Sequence, residues 1–272
     1  MGVFENFLHE TPLLSWMVAV CIAVIIEFIY AYEKNHPLRG KILNVCNGVL
    51  VCLVVFVLQP VVLLLGLFAV QRLGAGFIDL RIFTHDDIAS QIATFFLFLF
   101  LHDFFFYALH LALHKVPFLW HIHAVHHSEE HLNGTSELRQ HWLEIPLQSI
   151  FISLPLMILF KLTPVTLLGA NYLITIYALM THANINLHFG KFTWLFTSPQ
   201  YHRIHHSKLK KHWDKNFAQF FPILDILFGT YVAPTKGEFP PTGLASKERI
   251  ESLGELFVWP FEKWAKRPSG KK

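Results

Sequence analysis

Long apolar runs alternate with short polar links along the chain, and their order predicts helices that cross a membrane several times. Residues 13–32 are apolar except for Glu27, and a helix of that length spans a hydrocarbon core of about 30 Å. Glu27 lies near the end of the run, where a carboxylate snorkels to the interface. A polar turn, 33–41, carries the breakers Pro37 and Gly40. Run 42–70 is longer than one crossing needs and is interrupted by Pro60 and Gly66, so it reads as a tilted helix, a kinked helix or a re-entrant pair. After the mixed link 71–87, residues 88–113 form an apolar, aromatic run that ends in histidines. Runs 145–160 and 164–180 are separated by three residues and read as a helical hairpin. From 183 onward the chain is polar or mixed. Its end intersperses charges with Phe257, Trp259, Phe261 and Trp264, the pattern of an amphipathic helix on a membrane surface.

Composition strengthens this picture. Hydrophobic residues make up 53% of the 272, and charged residues 15% against a soluble norm of about 25%. The expected class is an all-α, multi-span membrane protein of about four to six crossings, with a cytosolic helical cap that carries the histidines. Of the 22 Lys and Arg residues, 14 lie in 183–272 and three in the turn 33–41. The positive-inside tendency therefore puts 33–41, 110–144 and 183–272 in the cytoplasm, with five spans and the N-terminus outside. A bacterial inner membrane or the endoplasmic reticulum satisfies this. The first 14 residues hold no Lys or Arg, which argues against a cleaved signal, and Asn6 departs from the myristoylation pattern. The net charge of +3 says little about nucleic acid, and the sequence shows no basic recognition motif, so no nucleic-acid partner is expected. Cys21, Cys46 and Cys52 sit in apolar runs and read as small buried hydrophobes rather than disulfide partners.

The chemistry-bearing residues are histidines. Seven of them fall between His102 and His127, and the spacing H-x-x-H-H occurs twice, at His123, His126 and His127 and at His202, His205 and His206. On a helix, Asp103, Tyr107, His110 and His114 share one face, and His110 and His114 at i, i+4 can converge on one ion. Asp103 and Tyr107 are expected to fix the orientation of those rings. His102 points about 80° away from His110 around the helix. Each triplet offers three imidazoles at a single patch, which makes eight candidate ligands with His110 and His114. Eight exceed the four to six ligands of one metal, so two metals are the economical reading. Imidazole alone does not choose among Fe, Zn, Cu and Ni. Both clusters begin where apolar spans end, which places the site at the membrane boundary within reach of a lipid chain. Oxidation of an unactivated C–H bond there requires a redox metal and O2.

The motifs HDFFFYALHLALH (102–114), WHIHAVHHS (120–128), HAN (182–184), PQYHRIHHS (199–207), Asn216-Phe217 and FGT (228–230) resemble the fatty acid hydroxylase / sterol desaturase superfamily. The stretch 132–144 is similar to its alkylglycerol monooxygenase-like branch. The resemblance implies a non-haem di-iron centre, with His110, His114, His123, His126, His127, His202, His205 and His206 as ligands. His182 joins them through the third motif, with His102 and His188 as weaker candidates. It also implies O2-dependent hydroxylation or desaturation of a membrane lipid such as a fatty acyl lipid, sterol or ether lipid. Arg139, His141, Glu144 and Asn184, with Asp103 and Tyr107, are expected around the ligands. The chain then divides into an N-terminal transmembrane region (1–97), the catalytic region (98–233) and a cytosolic tail (234–272).

No flavin, haem or nicotinamide motif is present, so electrons are expected from a separate ferredoxin, cytochrome b5 or reductase. His9, His36, His85 and His212 read as ordinary packed histidines, and His121 and His131 as packed or supporting. Two other classes compete. A metal transporter or metal-binding protein would use the same histidines but would place ionisable groups in mid-span. A zinc hydrolase would show an HExxH helix and fewer ligands.

Overall fold

The apolar runs become helices that end at a shared polar layer. A computed structural model describes residues 12–34, 36–74, 78–79, 88–161 and 164–266. Helices α1 (Pro12–Tyr30) and α2 (Leu38–Leu73) form the N-terminal pair. The 36 residues of α2 run through Pro60 and Gly66 without interruption, which removes the re-entrant alternative. At 1.5 Å per residue α2 is about 54 Å long, well beyond a membrane's hydrocarbon core. Its Leu38–Leu58 portion is one of two stretches, among the described residues, long and apolar enough to cross a membrane. The other is Ile92–Lys115, within α3 (Ile88–Lys115).

Val116 separates α3 from α4 (Pro117–His127), where Pro117 occupies the first helical position that tolerates a missing N–H. A 3-10 turn, Gly134–Leu138, follows, capped by the Asn133 side chain accepting from Thr135 N at 3.0 Å. The two runs expected as a hairpin both form helices, and the first is irregular. Helix α5 (Glu144–Gln148) passes through a π-helical turn (Ser149–Ser153) into α6 (Leu154–Leu159). Pro155, just beyond that turn, has no N–H for the α-helical ladder, and a widened turn accommodates it. Phe160–Lys161 then pairs in parallel with Ile78–Asp79. Helix α7 (Pro164–His182) returns to the polar layer. Helix α8 (Pro199–His205) starts from a Ser198 cap whose Oγ accepts from Tyr201 N at 3.2 Å. Helix α9 (Ile223–Phe228) ends at Gly229 in the left-handed region (φ 73°), a conformation a side chain resists. Helix α10 (Leu253–Ala265) begins with a Ser252/Glu255 capping box and buries Leu256, Trp259 and Pro260.

The main core lies behind the histidine face of α3. Phe98, Leu99, Leu109 and Leu113 pack there with Ile152, Leu156, Phe160, Phe220 and Phe221. A second core joins α4 and α10 through Val125, Leu256 and Trp259.

Two readings of the sequence are corrected here. The three cysteines are exposed rather than buried. Glu27 is not interfacial but 2% exposed. Its Oε1 accepts from Lys41 Nζ at 2.7 Å, and its Oε2 accepts from the backbone N–H groups of Gly134 (2.6 Å) and Asn184 (3.2 Å). The apolar run therefore carries a carboxylate because three separate segments need one acceptor.

Candidate metal centre

Nine histidines, all 8% exposed or less, gather where α3, α4, α7 and α8 meet. They fall into two groups. His110, His114, His123, His127 and His205 form the first, and His126, His182, His202 and His206 the second. Within each group, one nitrogen per ring lies within 4.8 Å of all the others.

Each H-x-x-H-H triplet is divided between the groups rather than presented to one patch, which corrects the sequence reading. On a helix, positions i and i+4 lie about 40° apart, while i+3 lies about 60° to the other side of i. His123 and His127 accordingly face the first group and His126 the second. In α8 the assignment reverses, with His202 and His206 facing the second group and His205 the first. The two helices thus exchange one ring each across the centre.

Backbone carbonyls and carboxylates fix the rings from behind. His110 Nδ1 lies 2.8 Å from the Phe217 carbonyl, His205 Nδ1 2.9 Å from that of Lys215, and His182 Nδ1 2.7 Å from that of Ala178. His123 Nδ1 lies 3.2 Å from Glu144 Oε2. A carbonyl or carboxylate only accepts, so each of these Nδ1 atoms carries the hydrogen and each Nε2 presents a lone pair. Yet His110 Nε2 and His123 Nε2 face each other at 3.0 Å, and His182 Nε2 and His126 Nε2 at 3.1 Å. Between His110 and His123, two lone pairs at that distance repel, and a cation between them removes the conflict. His205 Nε2 is buried with no hydrogen-bond partner, as a free ligand atom would be. Burial, joined by the neighbouring rings, holds His126, His127, His202 and His206 well below the imidazole range, and brings His205 down to about 3. Neutral imidazole is the metal-binding form. Five and four nitrogen donors suit two transition-metal ions.

The supporting residues differ from expectation in how they act. Asp103 and Tyr107 do not touch the rings. Asp103 accepts from the backbone N–H groups of Gln219 (2.7 Å), Phe220 (3.0 Å) and Phe221 (2.6 Å), and Tyr107 bonds Thr230 Oγ1 at 2.8 Å. Both hold the 216–230 loop, which in turn offers the Phe217 carbonyl to His110. Asp225 anchors the same loop by accepting from Phe217 N, Ala218 N, Thr230 Oγ1 and the Tyr201 hydroxyl. Arg139 binds Ser128 Oγ, Asn44 Oδ1 and the Ile250 carbonyl, and touches no ligand ring with its guanidinium. His141 reaches the Phe257 carbonyl at 2.9 Å and so ties the site to α10. Asn184 is a double link to Glu33, accepting from its N–H and donating to its carbonyl. Glu144 meets a ligand ring, as expected of a supporting carboxylate, and Glu137 does the same for the second group, with Oε2 3.3 Å from His182 Nδ1. Burial and the adjacent Glu144 hold Glu137 up at about 8.

His102 and His188 lie outside both groups. His102 sits off the ligand face of α3 between Phe98, Phe106 and Phe220. His188 accepts from Gly190 N at 2.9 Å in a turn beyond α7. His36 and His131 pack edge to face, and with Glu33 they form a third group of possible donors. Glu33 there is already committed to Arg203, which reaches both of its oxygens at 3.1 Å. His9 and His85 fall outside the described residues. Glu27, Asn44 and Asn47 were missed by the sequence reading as site supports. Their signal was a polar residue inside an apolar run, with Asn44 and Asn47 one turn apart on α2.

A cavity of about 320 Å³ opens beside the rings. His110, His123, His126, His182 and His202 are among the residues that line it. Its other walls mix apolar residues, among them Val51, Phe106, Leu109, Leu113, Ile152 and Ile174, with polar ones, among them Glu137, Gln140, Glu144, Gln148 and Asn171. Gly48 lies where α2 crosses the 3-10 turn, since a β-carbon there would meet Leu138 Cβ at 3.1 Å.

Residues 95–230 match the family model described as fatty acid hydroxylase. Among curated proteins the chain is similar to an alkylglycerol monooxygenase of Caenorhabditis elegans, 27% identical over 86% of this chain and 44% of the relative. It is 31% identical to the ornithine lipid hydroxylase OlsE of Rhizobium tropici, over 62% of this chain and 51% of the relative. A human alkylglycerol monooxygenase is 33% identical over 48% of this chain and 29% of the relative. The matched portion is thus about half or less of each relative's length. No solved structure matches. The family match covers half of the chain and includes all nine gathered histidines, so the chain belongs to the fatty acid hydroxylase family.

Proposed function

We propose that this chain is a membrane-embedded oxidoreductase that hydroxylates a lipid at a di-iron site. The observation that carries the reading is the convergence of histidine nitrogens, in groups of five and four, beside a cavity with apolar as well as polar walls. Two bound iron ions would supply O2 activation and the capacity to break an unactivated C–H bond. The chain's own residues orient the ligand rings and shape the cavity. The carbonyls of Phe217, Lys215 and Ala178 and the carboxylate of Glu144 hold the rings in one tautomer. Leu109, Leu113, Ile152 and Ile174 exclude water from the place where an alkyl chain would lie.

Hydroxylation consumes one O2, two electrons and two protons for each oxygen atom inserted, with water as the second product. A separate ferredoxin, cytochrome b5 or reductase would deliver the electrons. Hydroxylation is favoured over desaturation because the related proteins are named as a monooxygenase and a hydroxylase, both of lipids. We place both groups on the cytoplasmic side, since the Lys- and Arg-rich segment 183–272 carries α8 and α10. Five crossings, a catalytic region over 98–233 and a membrane-surface α10 complete the proposal.

The test is expression of the chain and of its His202→Ala variant in the same cells, followed by lipid mass spectrometry under 18O2. A lipid gaining one 18O atom only with the unaltered chain supports the reading. An unchanged lipid profile in an iron- and donor-replete host contradicts it.

A further inference from the structure

The segment 208–215, which follows α8, reaches from solvent to the histidine rings. Its outer side carries Lys208, Lys210 and Lys211, all exposed, and the half-buried Trp213, whose Nε1 donates to the Lys208 carbonyl at 3.3 Å. Lys115, exposed at the end of α3, joins them through Asp214, whose Oδ2 its Nζ meets at 2.7 Å. The inner side of the same segment touches the centre. The Lys215 carbonyl accepts from His205 Nδ1 at 2.9 Å, and Asp214 Oδ1 lies 3.8 Å from His114 Nδ1. Asp214 thus stands between a surface ammonium group and a ring of the five-ring group.

The surplus of positive charge is local. Lys41, Arg203, Arg249 and Lys263 each pair with a carboxylate. Within the patch Lys211 pairs with Glu238 at 2.8 Å, but Lys208 and Lys210 have no carboxylate partner among the described residues. The backbone beneath is fixed. Asn216 sits in the left-handed region (φ 59°), which asparagine tolerates, and its Nδ2 donates to the carbonyls of Tyr201 (3.1 Å) and Val232 (3.0 Å). A preformed surface of this kind loses little freedom when a partner binds.

We propose that the lysine surface of 208–215 and Lys115 docks an acidic one-electron carrier protein, with Trp213 as its aromatic contact. This rests on the proposed lipid-hydroxylase reading and adds to it where the electrons enter. Opposite charge steers such a carrier to the patch, and tryptophan is a favoured anchor at protein interfaces. Anionic lipid headgroups would also be drawn to lysines. A headgroup site, however, gains nothing from a backbone that ends on two ligand rings, whereas a reducing group must approach the centre. The carrier is oxidised by one electron in each encounter, so two encounters supply the two electrons that one hydroxylation takes.

The test uses the full chain in detergent and a reduced, acidic [2Fe–2S] ferredoxin as the probe. Oxidation of the ferredoxin by the iron-loaded protein is followed by stopped flow. Carbodiimide cross-links to the metal-free protein are mapped by mass spectrometry. The rate should fall steeply as salt is added. A Lys208→Glu, Lys210→Glu double variant with unchanged iron content should lower it at least about tenfold at low salt. Reduction of the same variant by dithionite should change less than about twofold, and so should ferredoxin oxidation by Lys161→Glu, whose exposed residue precedes α7 and lies a helix length from His182. Cross-links should join ferredoxin carboxylates to Lys208, Lys210 or Lys211. Rates untouched by the double variant, or cross-links confined to other lysines, overturn the proposal. If those rates agree while anionic phospholipid co-purifies with the unaltered protein and not with the variant, the lysines serve headgroups and the proposal falls. If ferredoxin oxidation depends on the lysines but no lipid is oxidised, this proposal stands and the hydroxylase reading falls.

Discussion

The two histidine groups sit side by side, yet they are braced by different parts of the chain. The five-ring group leans on the 214–225 loop. Phe217 and Lys215 present carbonyls to His110 and His205, and Asp103 and Asp225 hold that loop with carboxylates. All of these residues lie within the family-matched portion. The four-ring group leans instead on the N-terminal helix pair, outside that portion. His182 is followed by Asn184, which is tied to Glu33 and, through its N–H, to Glu27. Glu33 also grips Arg203, the residue after His202. Arg203 in turn lies over the Phe239 ring at 3.5 Å. Histidine groups whose rings all lie in one region are therefore braced in part from another.

Ligand loss tests that difference most strongly. His182→Ala leaves three donors in the smaller group, whereas His114→Ala leaves four in the larger. The first variant should lose about half of the bound metal and the second clearly less, as metal-to-protein ratios after gel filtration would show. Equal losses would erase the distinction between the groups.

Removing a brace should have the next largest effect. Glu27→Gln deprives Lys41 of its charge partner and one or more N–H groups of a strong acceptor, and should cost about 2 kcal/mol in detergent unfolding. Its metal loss should fall on the four-ring group. Asp103→Asn, which weakens three backbone contacts at the 219–221 loop, should cost a similar amount and affect the five-ring group. Spectra of a cobalt-substituted protein can report which environment changes.

Acid should act on both groups together in the metal-free protein. The rings outside the spans are depressed from 6.5, His205 to about 3. The unfolded chain therefore takes up protons first as pH falls through about 6.5, and stability declines from there toward pH 3. Above pH 7 this contribution should be flat. Unfolding midpoints across pH 4–8 would show it, and bound metal should deepen the decline because protons and metal compete for the same nitrogens.

The smallest effect belongs to His188, which serves only its own turn. His188→Ala should shift stability by no more than about 0.5 kcal/mol and leave metal content unchanged.

Much of the site was legible because helical spacing is periodic. His110 and His114 at i, i+4 and the two triplets announce one face each, and helix geometry then puts the rings together. The division of each triplet was implicit in the same angles, but which partners stand on each side depends on how α4 and α8 cross, and that is a tertiary fact. The roles of Asp103, Tyr107 and Asn184 were misread for a related reason. Each acts through the backbone of a segment far along the chain, such as 219–221 or 33, and spacing carries no information about such contacts. Glu27 shows the limit most clearly. Its local sequence is that of a membrane-edge carboxylate, and only the convergence of Lys41, Gly134 and Asn184 reveals a buried tie.

The most direct measurement is the iron content of the purified, iron-loaded chain, with Mössbauer spectroscopy on the same sample. The account predicts about two irons per chain, at two nitrogen-rich positions, and a fall to about one in His182→Ala. A single ion per chain, or iron held by the His182→Ala variant as fully as by the unaltered protein, would contradict it.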